Sequence, residues 1–160
     1  MEKTELELLR EEVKELKEKL KESEQLIKEI SVPIIPSIIP ETILVPITGK
    51  LSQERFEMMI SKIISTPFSD IDTIILDFTS ISEMEIGDLD VFGHYIQNMT
   101  DTLNLLGVRV MYTGFTPIVT QNLVNSGLKM ISELNTFLSF KQALQYLMKV
   151  KGMEFKKISR

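Results

Sequence analysis

The sequence predicts an α/β fold, a mixed sheet layered with helices and preceded by an N-terminal coiled-coil helix. Residues 1–30 repeat apolar side chains in steps of three and four without glycine or proline. Residues 73–79, TIILDFT, form a short β-branched apolar run that is typical of a buried strand. Around this run, strand-like and helix-like segments alternate, as they do where helices join parallel strands.

The first segment, residues 1–30, carries an a/d seam over nearly four heptads. Its apolar members are Leu6, Leu9, Val13, Leu16, Leu20, Ile27 and Ile30. The flanking pairs of a parallel dimer are all opposite in charge: Glu5–Arg10, Glu12–Lys17 and Lys19–Glu24. An antiparallel pairing would set Lys17 against Lys17. We therefore expect a parallel homodimer, and the alternative is a lone solvated helix with intrahelical ion pairs.

A proline-rich connector follows the coil. The run SVPIIPSIIP, residues 31–40, carries three prolines, and each removes a backbone donor and favours extended geometry. Such a run suits an edge strand, so we expect one here, followed by a turn near Pro40 and a second strand over 43–48. The globular domain is then expected to cover residues 31–150, and residues 151–160 form a basic tail.

Helix and strand signals alternate through the rest of the domain. Ser52 is a candidate N-cap for a helix over 51–65 that Pro67 stops. A long helix is predicted after Gly87, with an inner face of Leu89, Phe92, Ile96, Met99, Leu103 and Leu106. The remaining expected elements are strands at 108–113 and 130–134 and helices at 117–126, before Gly127, and at 139–150. Methionines, Met84 among them, are expected to fill the core first and to form adaptable surface second.

Composition excludes several classes of function. The formal net charge is −5 and no basic, aromatic-rich patch appears, so we expect no nucleic-acid partner. The chain has no cysteine and a single histidine, His94, which excludes disulfides and sites that need two histidines. No apolar run reaches the roughly 18 residues of a membrane span, and the start is unlike a signal peptide. We therefore expect a cytoplasmic protein without a membrane partner.

The candidate site follows the strand at 73–79. Asp77 falls near the carboxyl end of this strand, where open α/β sheets present their functional loops. The polar residues beyond it are Thr79, Ser80, Ser82, Glu83, Glu85, Asp88 and Asp90. The loop and helix after the next strand add Thr116 and Asn122. We expect these residues to form a partner-binding surface.

Other chemistries fit these residues less well. A Mg²⁺ or phosphoacceptor site would need carboxylates from a second strand end and a lysine opposite them, which the sequence does not offer. Hydrogen bonds from Asp77 to loop amides, and Asp88 or Asp90 at a helix start, are the simpler interpretation. Serine and threonine without a partner base make no nucleophile, so we expect neither an enzyme nor a metal or cofactor. A small-anion or nucleotide site remains the alternative, although residues 79–85 lack glycine and include two glutamates.

The stretch Leu76-Asp77-Phe78-Thr79-Ser80 resembles the signature of STAS domains, the anti-sigma-factor-antagonist modules. In that family an apolar strand ends in Asp, an apolar residue, Ser or Thr and usually Gly, and a short loop leads into a helix. Three further runs are similar to RsbR-type proteins of the bacterial stressosome: SVPIIP at 31–36, VPITGKLSQERF at 45–56 and GFTPIVTQNLVNSG at 114–127.

This resemblance implies a STAS fold from about residue 32 to 150. It also implies STAS domains that dimerise and pack with other STAS-domain stressosome proteins into a cytoplasmic shell. In the family this shell captures a serine/threonine kinase, which is released after it phosphorylates the STAS domains. The implied function is a subunit that regulates a stress-response sigma factor by partner switching.

The chain departs from the family where the phosphoacceptors stand. Alignment without a gap from Asp77 puts Ile86 at the first acceptor position, and a gapped alignment puts Leu89 there. The second acceptor position falls on Asn122. Because none of these side chains has a hydroxyl, we expect a subunit that is not switched by phosphorylation. The hydroxyls of Thr79, Ser80, Ser82 and Thr120 are the remaining candidates for modification.

Overall fold

The computed structural model describes residues 2–30, 32–65, 70–125 and 135–159, with the backbone alone for 27–30. The chain divides into two compact units, Met1–Val32 and Pro33–Arg160. The expected helix stops at Pro67 and Gly127 and the expected strand at 130–134 lie outside the described residues.

The first unit contains helix α1, Glu5–Ile30, which confirms the predicted helix. Thr4 and Glu7 cap its beginning reciprocally. The backbone N–H of Glu7 donates to Thr4 Oγ1 at 3.3 Å, and the N–H of Thr4 donates to Glu7 Oε2 at 3.3 Å. This capping box satisfies two of the backbone donors that a helix start leaves without partners. The described seam residues of α1 are exposed: Leu6, Leu9, Val13, Leu16 and Leu20.

The second unit is built on a sheet whose five described strands follow chain order. They are β1 Ile35–Pro36, β2 Thr42–Pro46, β3 Thr73–Asp77, β4 Arg109–Thr113 and β5 Asn135–Phe137. β1 pairs antiparallel with β2, and the other neighbours pair in parallel. The mixed sheet with an antiparallel first hairpin is therefore confirmed. In its register Asp77 lies opposite Thr113, at the carboxyl ends of β3 and β4.

Helices cover the sheet. They are α2 Gln53–Ile64, α3 Glu83–Ile86, α4 Leu89–Leu105, α5 Pro117–Asn125 and α6 Phe140–Val150. Ser52 caps α2 as predicted, because its Oγ accepts the N–H of Arg55 at 3.2 Å. Ser139 caps α6 in the same way through the N–H of Gln142, also at 3.2 Å.

The core has two parts, because successive side chains of a strand point to opposite faces of the sheet. On one face Ile75 and Met111 pack with Ala143 and Leu147 of α6, and all four are fully buried. On the other face Tyr112 belongs to an aromatic cluster with Phe56, Phe78, Phe92 and Phe115. Burial raises the pKa of the Tyr112 phenol, whose oxygen is hydrogen-bonded to Thr100 Oγ1.

Several expectations differ from the structure, and β3 ends at Asp77 instead of residue 79. A one-turn helix, α3, occupies part of the region expected to be a loop, and β2 ends at Pro46 instead of residue 48. Leu106 is 56% exposed, because it follows the last turn of α4 and the chain reverses at Gly107 to enter β4. Met84 is 92% exposed and fills no core, because the single turn of α3 has no buried residue.

Candidate partner-binding site at the carboxyl ends of the strands

Asp77 joins the carboxyl ends of β3 and β4. Its Oδ1 accepts hydrogen bonds from Thr79 Oγ1 at 2.6 Å, from Thr113 Oγ1 at 2.7 Å and from the N–H of Thr79 at 3.4 Å. The Thr113 side chain is fully buried, so its hydroxyl needs this acceptor. The interpretation of Asp77 as a residue that orders the loop is supported by these contacts.

Gly114 lets the loop after β4 approach the loop after β3. Its φ is +85°, and a Cβ at this position would lie 2.3 Å from the backbone nitrogen of Thr79 and 2.6 Å from its Cα. Any larger side chain would therefore collide with backbone atoms, in a conformation that L-residues rarely adopt. The backbone bond from the N–H of Phe78 to the carbonyl of Thr113, 2.8 Å long, holds the two segments at this separation.

Arg55 orders the neighbouring loop, between β2 and α2. Its guanidinium donates to the carbonyls of Thr48 and Lys50, the latter at 2.8 Å. Burial lowers the pKa of this guanidinium. The sequence places Arg55 at the capping-box position after Ser52 and in a family-like run, but neither pattern predicts these hydrogen bonds to the loop carbonyls.

Two acidic residues cap the two helices that follow Asp77, α3 and α4. Glu85 Oε2 accepts the N–H of Ser82 at 3.4 Å, at the start of α3. Asp88 is the N-cap of α4, and its Oδ1 accepts the N–H groups of Asp90 and Val91 at 2.9 and 3.3 Å. These carboxylates offset the partial positive charge of the helix starts, so both have a structural task.

A cavity of about 220 Å³ opens beside α3 and α5. Its lining residues are Glu83, Ile86, Gly87, Leu89, Val119 and Asn122. Three of the predicted site residues thus meet here, namely Glu83, Ile86 and Asn122. Val119 and Gly87 were not named individually as site residues, although each lies between expected site residues in the chain. The 3.6-residue spacing on α5 relates Val119 to Asn122, and this periodicity is the signal that could have revealed Val119.

The other predicted site residues do not line this cavity. Ser80 and Asp90 are exposed, and Thr116 begins α5, where its Oγ1 accepts the N–H of Val119 at 3.2 Å. Thr120 lines a different cavity, of about 360 Å³, against Phe137 and the end of β5. The structure therefore separates Thr120 from Asn122, although both belong to the same helix.

The strand-end face is acidic. Residues 78–92 and 113–125 contain four carboxylates and neither lysine nor arginine. Because Glu83 lines the cavity, a negatively charged ligand would be repelled there, which weighs against the small-anion alternative. Among the described residues, no group of three or more Asp, Glu or His side chains could hold a metal ion. None of the helices that the structure describes is long and apolar enough to cross a membrane.

Comparison with known proteins identifies the fold. No family model matches the sequence, and no curated protein matches it. Solved structures do match. RsbS from Moorella thermoacetica aligns with a TM-score of 0.58 and 22% identity, over 76% of this chain and 98% of that one. The STAS domain of a SulP transporter from Vibrio cholerae aligns with a TM-score of 0.57 and 18% identity, over 73% and 89%. This chain has the fold of STAS domains.

A third similar structure comes from the stressosome, a signal integration and transduction hub. It aligns with a TM-score of 0.56 and 18% identity over 76% of this chain and 100% of that one. STAS folds thus occur both in a transporter and in a signalling assembly, so the fold alone does not choose between these settings. The expected STAS fold is confirmed, and the choice depends on the residues of the site.

Proposed function

We propose that this chain is a non-catalytic protein-interaction module, an RsbR-like stressosome subunit that regulates a stress-response sigma factor by partner switching. Its partners would be other STAS-domain stressosome proteins and the serine/threonine kinase of the switch. The STAS fold and its likeness to structures from stressosome proteins support this assignment.

One observation carries the proposal. Ile86 and Asn122, the two positions where the family resemblance places phosphoacceptors, line the same cavity although they lie 36 residues apart in the chain. A partner that covers this cavity would contact both positions at once. If the two positions were unrelated surface residues, their presence in the same cavity would have no explanation.

The same observation supports a subunit in a fixed state. A phosphoryl group adds about two negative charges and three acceptor oxygens, and it needs a hydroxyl for attachment. Ile86 and Asn122 have none, and Leu89, the gapped alternative, lines the same cavity. The nearby carboxylates imitate the charge of a phosphorylated site only in part, because each carries a single charge. Other subunits of the assembly would then do the switching.

Helix α1 supports a parallel homodimer. Its described seam residues, Leu6, Leu9, Val13, Leu16 and Leu20, are between 48 and 60% exposed. Two copies in parallel would bury these seam residues and would bring the residues of all three oppositely charged pairs together. The dimer would present two STAS domains at one end of the coil.

Co-expression tests the assignment. The full chain is produced with candidate STAS-domain and kinase partners, and the mass of any complex is measured by sedimentation. We expect co-purification in a complex much larger than a dimer. A chain that stays dimeric with every such partner would contradict the stressosome assignment. A chain that is monomeric with every such partner would contradict the coiled-coil dimer as well.

Phosphate mapping tests the fixed state separately. The purified chain is incubated with the kinase that co-purifies and ATP, then analysed by mass spectrometry. We expect no stoichiometric phosphate, and an Asn122→Ser variant tests whether a restored hydroxyl is accepted. Stoichiometric phosphate on Thr79, Ser80, Ser82 or Thr120 of the unaltered chain would overturn the fixed-state proposal.

A further inference from the structure

The last residues of the chain present apolar side chains to solvent. Phe155 is 76% exposed and Ile158 is 86% exposed, with Lys156 and Lys157 between them. Residues 154–160, the tail segment, carry three basic side chains and one acidic one. The tail segment therefore combines two exposed apolar side chains with a net positive charge.

The chain holds the start of this segment at the amino end of the sheet. The N–H of Met153 donates to the carbonyl of Met148 at 2.8 Å, and Gly152, with φ +69°, terminates α6. Lys151 Nζ donates to Asp72 Oδ1 at 3.0 Å and to the carbonyl of Pro40 at 2.7 Å. Asp72 directly precedes β3, so the tail begins at the end of the sheet opposite to Asp77.

The surface that matches the tail segment lies at the other end. The cavity beside α3 has an apolar lining from Ile86, Leu89 and Val119, with Glu83 at its edge. Met84 beside it is 92% exposed. The two segments that form the cavity, residues 78–92 and 113–125, contain four carboxylates and neither lysine nor arginine. A short basic segment with one or two large apolar side chains complements it in charge and in polarity.

Phe155 cannot reach this surface in its own molecule. β3 alone spans roughly 16 Å at the usual rise per residue, and the cavity lies beyond its carboxyl end. Phe155 lies two residues after Met153, so it extends at most roughly 7 Å from that fixed point. The occupant must therefore come from a second molecule.

We infer that the cavity lined by Ile86, Leu89 and Val119 binds the tail segment, residues 154–160, of a second copy of this chain. Phe155 would enter the cavity, and the lysines that follow it would face Glu83. The inference rests on the proposed function only because it uses the same binding face. It adds that one ligand of this face is the tail segment of another copy of the same protein. A bound tail would compete with other partners for the surface.

A peptide titration tests the inference. The probe is a fluorescein-labelled peptide of residues 154–160, EFKKISR. The receptor is the full-length chain carrying Phe155→Ser and Ile158→Ser, so that its own tails do not compete. We expect saturable binding by fluorescence anisotropy. A peptide with the same two serines should bind roughly tenfold more weakly or worse, because the apolar burial is lost.

Charge variants locate the site. Glu83→Lys in the receptor should weaken peptide binding roughly fivefold, as expected for a charge beside the contact. Asp70→Lys makes the same charge change near the amino end of β3, and it should alter binding less than about twofold at moderate salt. Circular dichroism checks that each receptor is folded.

Absence of binding at millimolar peptide would overturn the inference. Equal binding by the serine peptide, or equal weakening by Glu83→Lys and Asp70→Lys, would overturn it too. STAS and kinase binding is measured on the same receptor. If the receptor binds those partners but not the peptide, only the tail inference is wrong. If it binds the peptide but none of those partners, the proposed function is contradicted instead.

Discussion

At the carboxyl end of the sheet, the Asp77 carboxylate accepts hydrogen bonds from two hydroxyls and a backbone amide. At the amino end, the Asp72 carboxylate instead accepts a hydrogen bond from the ammonium group of Lys151. The first arrangement orders the loops without adding a positive charge. The second forms an ion pair, with Asp72 Oδ1 and Lys151 Nζ 3.0 Å apart.

This difference fits our proposal that the carboxyl end of the sheet binds a partner, whereas the ion pair at the amino end stabilises the fold. Because residues 78–92 and 113–125 contain four carboxylates and neither lysine nor arginine, these two segments keep a negative field for a partner. At the amino end, Lys151 also donates to the carbonyl of Pro40, so one side chain connects the end of α6 to the β1–β2 turn and to β3. If this comparison is right, substitutions at the two ends should differ in what they damage.

The largest expected effect comes from Gly114→Ala. The added Cβ would lie 2.3 Å from the nitrogen of Thr79, so the two loops must separate. We expect a loss of about 2–4 kcal/mol in the free energy of unfolding, from steric conflict and the unfavourable positive φ together. Urea denaturation followed by circular dichroism measures it.

Gly107→Ala is the matched control for that prediction. Gly107 has φ +80°, but a Cβ there has nothing within 4 Å. It should lose about 1–2 kcal/mol, the cost of the left-handed conformation alone. Equal losses in the two variants would show that the close approach of the loops contributes nothing.

Removal of the Asp77 carboxylate should have the next largest effect. Asp77→Ala leaves the buried Thr113 hydroxyl without its acceptor, and we expect a loss of about 1–3 kcal/mol. Asp77→Asn keeps an oxygen at the same place and should lose roughly half as much, because only the charge assistance disappears. Urea denaturation of both variants gives the ratio of the two losses in the free energy of unfolding. A larger loss for Asp77→Asn than for Asp77→Ala would contradict the role of Asp77 as the acceptor for Thr113.

Lys151→Met tests the amino end. The ion pair is partly exposed, so we expect a loss of only about 0.5–1 kcal/mol near neutral pH. Burial pushes the pKa of Asp72 upward, but hydrogen bonds from Thr73, Lys151 and Glu41 outweigh it and hold the pKa below its usual 3.8. A lowered carboxyl pKa stabilises the fold above the unfolded value, and this stabilisation disappears as pH falls through the folded value. The difference between the two proteins should therefore shrink below about pH 3.8.

Glu41 titrates in the opposite sense and needs its own control. Its hydrogen bond with Asp72, and then the negative charge of Asp72, raise the pKa of Glu41 above 4.5. A raised carboxyl pKa contributes stability at low pH that disappears as pH rises through the folded value. Measuring Lys151→Met in a Glu41→Gln background separates the two titrations. A difference that stays constant from pH 6 to pH 2 in this background would disprove the ion-pair account.

Sequence patterns predicted the helices and strands better than they predicted which of these elements lie next to one another. The β-branched run at 73–79 and the cap at Ser52 depend on local chemistry, and the structure confirms the strand and the cap. The cavity depends on a contact between α3 and α5, more than 30 residues apart, which no local pattern encodes. The one-turn helix α3 was missed for a related reason, since four residues are too few to show a helical period.

The smallest effect on stability is expected from Glu83→Lys, which should nevertheless have the clearest effect on binding. Glu83 is exposed in the first turn of α3, so reversing its charge should change the free energy of unfolding by less than about 0.5 kcal/mol. Because it lines the cavity, the same change should weaken the binding of STAS or kinase partners several-fold and reduce the dependence of that binding on salt.

Glu85→Lys separates charge from structure in this test. It makes the same reversal two residues away, but it also removes the acceptor for the N–H of Ser82, so its thermal melt should shift slightly more. Calorimetric titration of partners into each variant, with melts in parallel, gives both quantities. If Glu83→Lys binds as tightly as the unaltered chain, the carboxyl end is not the binding end, and the contrast with Asp72 and Lys151 is structural only. If Glu83→Lys unfolds the domain, Glu83 stabilises the fold, and a loss of binding would not be evidence that the negative field binds the partner.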